Sequence, residues 1–573
     1  MLQIRCKNIN VTKSFPEGTS LLDVYQEFVD EIALPYPVIS AKVNNVSQGL
    51  KFRLFQNRDV EFLDAREGSG HRVYVRSLSF VLYKATQDLF PGSKLFIEHS
   101  LCRGYYCNFK KKPNAVSIRQ SQAGDRPTEA LTDEDVARLK QRMQEIITLD
   151  MPFRRNESTT EEAIRVFAER GFSDKVKLLE TSGQIYSDYY TLGDTADYYY
   201  GPLVPSAGYL KVWDLERYQD GILLRVPDWN NPLQLAEKVE QPKTFEMFAE
   251  KTRWDIIMRL SNAGDVNKAI LKGHASELIQ VSEALQEKKI VQIAEEIDRR
   301  FRDEQHPLRI VLITGPSSSG KTTFCKRLSI QLLACGLRPV SFSTDDYFVN
   351  RVDTPKLPNG DYDFDNIETV DYHLLEEHLT KLMNGERVEV PEYNFSTGKR
   401  EWNGKRLKLS SDTVLIIEGI HALNPLLTKN IDDSMKFRIY TSALTSISLD
   451  DHNWIPPRDN RLLRRIIRDY NKGAFTAQET IAQWKNVCDA EDKWIFPYQE
   501  TADVMFNSAL NIEFAVLRTH AEIILASVPR NCPEYAEAHR LLKFIHFFIP
   551  VSDKEIPPTS IMREFLGGSS FKY

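Results

Sequence analysis

The sequence predicts a multidomain α/β protein with a parallel-sheet domain in its second half. The chain has 573 residues, a length that suggests three or four domains rather than one core. Residues 304–528 alternate short apolar runs with helical patterns, as expected for a parallel sheet with crossover helices. Within them a glycine-rich loop stands between an apolar run and a helix, with the sequence Gly315-Pro-Ser-Ser-Ser-Gly320-Lys321-Thr322.

Residues 1–62 predict a small β-grasp domain. An alternating strand over residues 4–12 is followed by a turn over 14–20, a helix over 21–32 and another strand over 38–43. This order of elements is typical of ubiquitin-like β-grasp sheets.

Three further segments complete the predicted organisation. Residues 63–226 mix helical and strand patterns and predict an α+β domain. Residues 227–303 are helical and highly charged, which indicates a helical connector to the parallel-sheet domain. Residues 529–573 form a C-terminal tail that contains Gly567-Gly-Ser-Ser570, and no pattern in it indicates a role.

Composition predicts a soluble cytoplasmic protein without a membrane segment. Hydrophobic residues make up 42% and charged residues 27% of the chain. No apolar run approaches the roughly 20 residues that span a bilayer, and the first residues alternate like a strand rather than a signal peptide. The net charge of −6 excludes a global basic field for nucleic acid. Seven scattered cysteines without a C-x-x-C pair suit a reducing compartment.

The glycine-rich loop has the residues needed to bind a triphosphate. It fits the pattern G-x-x-x-x-G-K-[ST], and its strand-loop-helix context argues against a turn that binds nothing. The glycines let the backbone wrap a phosphate, and the following helix offers free N–H groups and a positive dipole end. Lys321 can reach the β- and γ-phosphates, and Thr322 can help to hold Mg²⁺. The predicted phosphate-binding residues are Gly315, Ser317, Ser318, Ser319, Gly320, Lys321, Thr322 and Thr323.

Two acidic residues follow predicted strands downstream of this loop. Asp345 comes after the run over residues 339–343, and Glu418 ends the apolar run over 413–418. Such strand ends meet at the ligand-binding edge of a parallel sheet. There Asp345 can take the proton of an attacking hydroxyl, and Glu418 can bind Mg²⁺ through oxygen. The alternatives are an acidic turn or a helix cap for Asp345, and a core strand with an exposed terminal glutamate for Glu418.

Four arginines at helical spacing predict a phosphate-binding face. Their offsets of 0, 3, 4 and 7 place them on one side of a helix, and they are Arg461, Arg464, Arg465 and Arg468. Like charges on one face repel unless an anion neutralises them, and a triphosphate fits guanidinium forks. The alternative is a solvated basic face paired with local acids such as Asp459 and Asp469.

These features together resemble the uridine kinase family, within the wider group that includes phosphoribulokinase and pantothenate kinase. The resemblance covers residues 304–528 and implies that Asp345 is the catalytic base. It implies that Asp365 binds the ribose, where one carboxylate can accept from both hydroxyls. The residues it assigns to catalysis are Asp345, Lys321, Arg465 and Arg468, and those it assigns to the substrate are Phe364, Asp365 and Tyr393.

One departure from that family concerns the base. The uridine and cytidine enzymes read the pyrimidine edge with a histidine a few residues after the tyrosine. In this sequence Gly398 stands at that position. Since a donor or acceptor that reads a base edge controls selectivity, the resemblance implies a nucleoside without fixing its base.

Residues 1–226 resemble the N-terminal part of threonyl-tRNA synthetase, which consists of a TGS β-grasp domain and an editing domain. The strings that carry this resemblance are Arg76-Ser-Leu-Ser-Phe80, Leu89-Phe-Pro-Gly-Ser-Lys-Leu95, Gly104-Tyr-Tyr-Cys107 and Gly201-Pro-Leu-Val-Pro205. The editing enzymes use H-x-x-x-H and C-x-x-x-H, whose positions here hold Arg76, Phe80, Tyr199 and Leu203. Because Phe80 and Leu203 cannot ligate a metal, we expect this half neither to edit aminoacyl-tRNA nor to bind zinc.

A basic run in the same half leaves two interpretations open. Lys110-Lys-Lys112 lies beside Tyr105, Tyr106 and Phe109. Charge next to aromatic rings suits single-stranded RNA, whereas a solvated loop beside core aromatics is the simpler interpretation.

The sequence as a whole leads to the hypothesis of an ATP- and Mg²⁺-dependent kinase that phosphorylates a nucleoside 5′-hydroxyl. Two alternatives stay open. The first is a kinase of another small alcohol, such as a sugar phosphate or pantothenate. The second is an RNA-linked regulator that uses the glycine-rich loop to sense a nucleotide. The oligomeric state is also open, because related kinases often form oligomers while no pattern here requires it.

Overall fold

The N-terminal domain is a β-grasp sheet with one short helix. The computed structural model describes residues 1–111, 130–358, 360–445 and 447–572. The first elements are β1 (Leu2–Cys6), β2 (Val11–Phe15), α1 (Leu21–Gln26), β3 (Ser40–Val43), β4 (Val46–Gln48) and β5 (Arg58–Leu63). The strands lie in the order β2-β1-β5-β3-β4, with β1 parallel to β5. The predicted β-grasp domain is therefore present.

The single strand predicted over residues 4–12 was wrong. Strands β1 and β2 form an antiparallel pair joined by a tight turn, in which Asn10 has a left-handed φ of 55°. Asparagine tolerates this region better than most residues, so the chain reverses where the alternating pattern alone continues. Helix α1 is also shorter than predicted, although Ser20 and Asp23 close its start with a capping box.

The second domain is an α+β unit built around a long buried helix. Its elements are α2 (Gly68–Leu89), β6 (Lys94–Leu101), β7 (Gly104–Lys110), α3 (Asp133–Thr148), β8 (Phe153–Asn156), α4 (Thr160–Glu169), α5 (Ser173–Ser182), β9 (Tyr189–Leu192), β10 (Thr195–Asp197), β11 (Asp214–Tyr218) and β12 (Gly221–Arg225). Two antiparallel sheets form, with the orders β11-β12-β7-β6 and β10-β9-β8. Helix α2 is buried along most of its length.

The helical connector packs directly against the parallel-sheet domain. It consists of α6 (Pro242–Met258), α7 (Ala263–Leu271) and α8 (Ala275–Phe301). Apolar residues of α8, including Ile290, Ile293 and Ile297, share one core with the helix that follows the glycine-rich loop. Arg327 of that helix pairs with Glu283 of α8 at 3.0 Å. Helix α8 therefore covers one face of the sheet.

The predicted parallel sheet is confirmed. This domain contains β13 (Ile310–Thr314), α9 (Lys321–Ala334), β14 (Arg338–Ser343), α10 (Tyr372–Met383), β15 (Val388–Glu389), β16 (Glu392–Asn394), β17 (Lys399–Glu401), β18 (Arg406–Leu407), β19 (Thr413–Glu418), β20 (Lys436–Ser442), α11 (Pro457–Asn471), α12 (Ala477–Trp494), β21 (Val504–Asn507) and α13 (Glu513–Ala526). Five strands lie in the order β14-β19-β13-β20-β21, and each neighbouring pair is parallel. The central strands β13 and β19 are fully buried, as their uninterrupted apolar runs predict.

The C-terminal residues fold back onto the rest of the chain. They form α14 (Tyr535–Ile545) and α15 (Arg563–Leu566). Phe544 and Ile545 join a core with α11 and α13, while Ile561 and Phe565 join the core around α9. The tail therefore reaches the start of α9, where the glycine-rich loop ends. Among the described helices, none is both long and apolar enough to cross a membrane.

Candidate active site

The glycine-rich loop joins the buried strand β13 to the first residue of α9. Gly315 lies against β20, where an added Cβ would stand 2.2 Å from the carbonyl oxygen of Thr441. Ser318 and Gly320 take left-handed φ values of 59° and 82°. These turns let the loop reverse into the helix, which begins at Lys321. The loop and the first turn of α9 thus have the predicted strand-loop-helix geometry.

Two carboxylates stand at the same edge of the sheet as the loop. Strand register pairs Glu418 with both Ser343 and Ile313, so β14, β19 and β13 end side by side. Asp345 follows β14 in a short 3₁₀ turn. Thr322 donates from Oγ1 to Oε1 of Glu418 at 3.2 Å. The other oxygen of Glu418, Oε2, is buried and has no hydrogen-bond partner among the described residues.

The charges of these groups converge on the ammonium group of Lys321. Burial raises the pKa of Glu418 to about 7, against the opposing effect of Lys321. Burial also raises the pKa of Asp345, and Lys321 again opposes the shift. A carboxylate that is desolvated in this way needs a cation or donor to be stable in its charged form. The site therefore favours a ligand that supplies positive charge or hydrogen bonds.

Asp365 also interacts electrostatically with Lys321. Burial raises its pKa to about 6, and the positive charges of Arg465 and Lys321 partly oppose this. His421, which sequence reasoning missed, stands beside it after β19. Burial lowers the pKa of His421 to about 4, and the backbone carbonyls of Asp365 and Asn366 oppose the shift. His421 is therefore a neutral imidazole at the site, and its place three residues after Glu418 is the sequence signal that could have found it.

The other two residues predicted to bind substrate lie in different environments. Tyr393 is buried in β16, with its ring 5.5 Å from that of Phe348 and 5.0 Å from that of Phe395. Phe364 is 44% exposed, and its ring is 5.7 Å from that of Tyr362. The structure thus places Asp365 with the catalytic candidates, Tyr393 in the neighbouring aromatic cluster and Phe364 at the surface.

Gly398 is covered by a neighbouring arginine. Its carbonyl accepts from the backbone N–H of Arg351 at 2.8 Å, and its φ is 66°. An added Cβ would lie 2.8 Å from both Cβ and Nε of Arg351. The guanidinium of Arg351 donates to the carbonyl of Phe395 at 2.5 Å. Any side chain at residue 398 would therefore displace Arg351.

Two of the four arginines on α11 are neutralised by the protein itself. Arg461 forms two hydrogen bonds to Glu491, at 2.5 and 2.8 Å, and donates to the carbonyl of Ser317. Arg464 is fully buried and pairs with Glu513. The expectation that an external anion neutralises the whole face was therefore wrong for these two. Their acids lie 30 and 49 residues away in sequence, beyond the local acids considered from the pattern.

The remaining two arginines differ in what they contact. Arg465 donates to the hydroxyl of Ser317 at 3.0 Å and lies close enough to Asp365 to oppose its pKa shift. Arg468 pairs with Asp469 at 3.0 Å, and Arg465 approaches the same carboxylate at 3.4 Å. Arg465 is thus held at the glycine-rich loop, while Arg468 lies one turn further along α11.

A carboxylate from the C-terminal tail occupies the start of α9. Glu564 accepts from Oγ1 of Thr323 at 2.6 Å and from its backbone N–H at 3.2 Å. Asn471 of α11 fixes this tail by donating to the carbonyls of Phe565 and Leu566. Sequence reasoning missed Glu564, because the pairing joins residues 241 positions apart. The backbone N–H of Ser317 likewise donates to Glu491 at 2.9 Å, so two of the predicted phosphate-binding N–H groups are taken by carboxylates of the protein itself.

The four replaced editing positions converge in the second domain. Phe80, Tyr199 and Leu203 are buried in one core, with the rings of Phe80 and Tyr199 5.6 Å apart. Arg76 lies beside them over the ring of Tyr200. Within the described part of the chain, no group of three metal-binding side chains is found. Lys112 of the basic run lies outside the described residues.

Comparison with known proteins agrees with this division of the chain. Residues 310–513 match the Phosphoribulokinase / Uridine kinase family. This segment is a domain of that family. Over 196 residues the chain is 27% identical to a uridine kinase of Ureaplasma parvum serovar 3, a match that covers 34% of this chain and 86% of that enzyme. We refer to this part of the chain as the kinase domain.

The N-terminal half is similar to a different class of enzyme. Over 206 residues the chain is 29% identical to a threonine–tRNA ligase of Marinobacter nauticus, a match that covers 36% of this chain and 29% of that ligase. The chain thus spans less than a third of that relative's length.

Among solved structures, the chain is similar to a possible uridine kinase from Bacillus stearothermophilus. The identity is 19%, the TM-score is 0.27, and the match covers 38% of this chain and 98% of that one.

Proposed function

We propose that this protein transfers the γ-phosphate of ATP to the 5′-hydroxyl of a nucleoside. The observation that carries the proposal is the convergence of Asp345, Asp365 and Glu418 on Lys321 at the end of the glycine-rich loop. The family of the kinase domain and the similarity to a uridine kinase support the same reaction class.

Asp345 is the proposed base in this reaction. As the substrate oxygen forms its bond to the γ-phosphorus, the hydroxyl proton passes to the Asp345 carboxylate, and the bond from γ-phosphorus to the bridging oxygen breaks to release ADP. Lys321 and the loop N–H groups hold the triphosphate, and Arg465 lies where it can neutralise charge on the transferred group. Asp365 accepts from the ribose hydroxyls and orients the substrate.

The residues around Thr322 fit a magnesium ion. Oε2 of Glu418 is a buried, unpartnered oxygen, and the Thr322 hydroxyl is 3.2 Å from Oε1. Hard oxygen donors of this kind are the ligands that Mg²⁺ prefers. When bound, the ion would neutralise charge on the phosphate oxygens, while the task of this chain is to keep Glu418 desolvated and oriented.

The proposal concerns nucleosides as a class rather than pyrimidines. Gly398 offers no side chain to read a base edge, and Arg351 covers it. The aromatic cluster of Tyr393, Phe348 and Phe395 lies next to the 3₁₀ turn that carries Asp345. This arrangement favours ring contact as a way to hold a base.

The test is ADP release by the full-length protein with ATP, Mg²⁺ and each common ribo- and deoxyribonucleoside in turn. A panel of glycerate, sugar phosphates and pantothenate runs beside it. Asp345→Asn should lose roughly 10²- to 10⁴-fold of the turnover, whereas Asp353→Asn, which changes an exposed carboxylate nearby, should retain it. Turnover of another alcohol and of no nucleoside would overturn the substrate assignment. Equal turnover by wild type and Asp345→Asn would overturn the assigned base.

A further inference from the structure

A small cavity lies between helix α2 of the second domain and the segment that leads into α11 of the kinase domain. The centre of a water molecule can occupy about 20 Å³ of it, within about 370 Å³ of space between the atoms that includes open solvent. The residues that line it and matter here are Arg72, Arg76, Tyr200, Asn453, Trp454 and Pro456. None of them belongs to the candidate active site, so the cavity is separate from the glycine-rich loop.

Arg76 brings an uncompensated charge to this cavity. Its Nε is shielded from solvent and has no hydrogen-bond partner, and no carboxylate pairs with its guanidinium within the described ranges. Burial lowers the pKa of Arg76 to about 10, and the neighbouring guanidinium groups of Arg72 and Arg540 lower it further. A buried charge without a counter-ion is costly, so a site of this kind is stabilised by an anion.

The surroundings of Arg76 are shaped to hold its guanidinium in place. An added Cβ on Gly201 would lie 2.3 Å from Nη1 of Arg76, so only glycine leaves room for it there. The guanidinium lies 5.7 Å from the centre of the Tyr200 ring. Nε1 of Trp454, which also lines the cavity, is a second buried donor without a partner among the described residues. Two residues that line the same space therefore each carry a donor that lacks an acceptor.

A chain of ion pairs lies next to the cavity. Arg72 pairs with Glu537 at 2.9 Å, and Arg540 pairs with both Glu537 and Asp459. Two carboxylates therefore face three guanidinium groups when Arg76 is included.

We propose that this cavity binds the oxyanion group of a small molecule, a phosphate or a carboxylate, with Arg76 as its main ligand. The fork of the Arg76 guanidinium matches two oxygens of such a group, and the Trp454 indole N–H can donate to a third acceptor site. The proposal rests on the unmatched charge and the two unpartnered donors. It does not depend on the substrate proposed for the kinase domain.

The position of the cavity links it to the glycine-rich loop. Arg72, Glu537, Arg540 and Asp459 form a continuous chain of ion pairs that ends in the first turn of α11. Two residues further along that helix, Arg461 contacts the carbonyl of Ser317 in the loop. A bound oxyanion thus adjoins a chain of contacts that reaches the nucleotide site, and we expect it to change the KM for ATP.

Binding can be measured by calorimetry on the full-length protein carrying Lys321→Ala, which weakens phosphate binding at the loop. The probes are inorganic phosphate, sulfate and acetate at constant ionic strength. Saturable binding that falls at least about tenfold in Arg76→Gln, and is unchanged in Arg165→Gln at an exposed arginine, is the expected result. Tighter binding of phosphate or of acetate identifies the oxyanion. Absence of saturable binding, or equal binding by Arg76→Gln, would overturn the proposal.

Thermal melting separates this role from a purely structural one. Without oxyanion, Arg76→Gln removes an uncompensated charge and should melt at the same or a higher temperature than the parent protein. Added phosphate or acetate should raise the melting temperature of the parent and not that of Arg76→Gln. If Arg76 serves only to hold the fold, Arg76→Gln melts lower and both proteins respond equally to the anions, which would contradict the proposal. Arg76→Lys keeps the charge without the fork and should bind weakly while folding normally.

Discussion

The glycine-rich loop of the kinase domain and the positions of the editing site in the second domain differ in the polar groups that they offer to a ligand. In the kinase domain, Glu418 and Asp365 are desolvated, their pKa values are raised to about 7 and about 6, and one Glu418 oxygen has no partner among the described residues. In the second domain, the positions that resemble an editing site hold Phe80 and Leu203, which bring no ligand atoms and pack in the core. At the glycine-rich loop the chain thus keeps polar groups ready for a ligand, whereas Phe80 and Leu203 remove them from the position of the editing site.

Where the halves meet, a cluster of buried charged groups pairs residues of one half with residues of the other. Lys175 of α5 lies 3.0 Å from Asp197 and 3.1 Å from Asp450, which follows β20 in the kinase domain. His452 pairs with the same Asp197 at 2.8 Å. All four side chains are buried. This cluster therefore joins the two halves and has a structural role, unlike the unmatched groups at the glycine-rich loop.

The largest effect should follow the loss of Lys321. Lys321→Ala removes the charge that opposes the raised pKa values of Asp345 and Glu418 and that is assigned to the phosphates. We expect kcat/KM for ATP to fall on the order of 10³-fold, as for loss of a charge-stabilising donor. Steady-state kinetics with Lys485→Ala, an exposed lysine on α12, gives the control. If kcat/KM for ATP falls less than about tenfold in Lys321→Ala, the glycine-rich loop does not carry the chemistry that we assign to the kinase domain.

Loss of the buried ion pairs of Lys175 between the halves should lower the free energy of unfolding rather than the catalytic rate. Lys175→Met leaves Asp197 and Asp450 buried without their cation, which should lower the free energy of unfolding by about 3–5 kcal/mol. Lys177→Met, on the same helix, removes a partly exposed pair with Asp265 and should cost at most about 1 kcal/mol. Urea unfolding of both variants checks this. Equal costs would show that the buried cluster does not hold the joint.

Acid should weaken nucleoside binding through Asp365. Its pKa is raised to about 6, so the carboxylate that accepts from the ribose is lost as pH falls through that value. The KM for the nucleoside should therefore rise below about pH 6. Because the charge of Asp363 contributes to the raised pKa, Asp363→Asn should move this rise to lower pH. A pH profile of KM that is the same in both proteins would contradict the assignment.

A smaller effect is expected from the C-terminal tail. Glu564 competes with phosphate for the N–H and hydroxyl of Thr323, so Glu564→Gln should lower the KM for ATP by a few-fold. Glu555→Gln changes an exposed acid in the same tail and should leave KM unchanged. Nucleotide titrations of the two variants test this. A raised KM in Glu564→Gln would show that the carboxylate helps to build the site instead.

Local signals allowed much of the fold and the glycine-rich loop to be predicted. An uninterrupted apolar run is enough to indicate a buried strand such as β13, and the loop follows it directly. The alternating pattern of residues 4–12 wrongly predicted one continuous strand, because the chain reverses at Asn10, a residue with a left-handed φ. The partners of Arg461 and Arg464, and the place of Glu564, depend on contacts between distant segments. No local pattern carries that information.

The central claim is that the kinase domain moves the γ-phosphate to a nucleoside with Asp345 as base. The most direct measurement follows ATP labelled at its γ-phosphate by phosphorus NMR and mass spectrometry, with wild type and Asp345→Asn side by side. We expect label on the 5′-oxygen of a nucleoside with wild type and almost none with the variant. Label that stays in ATP, or appears only as inorganic phosphate at equal rates with both proteins, would contradict it.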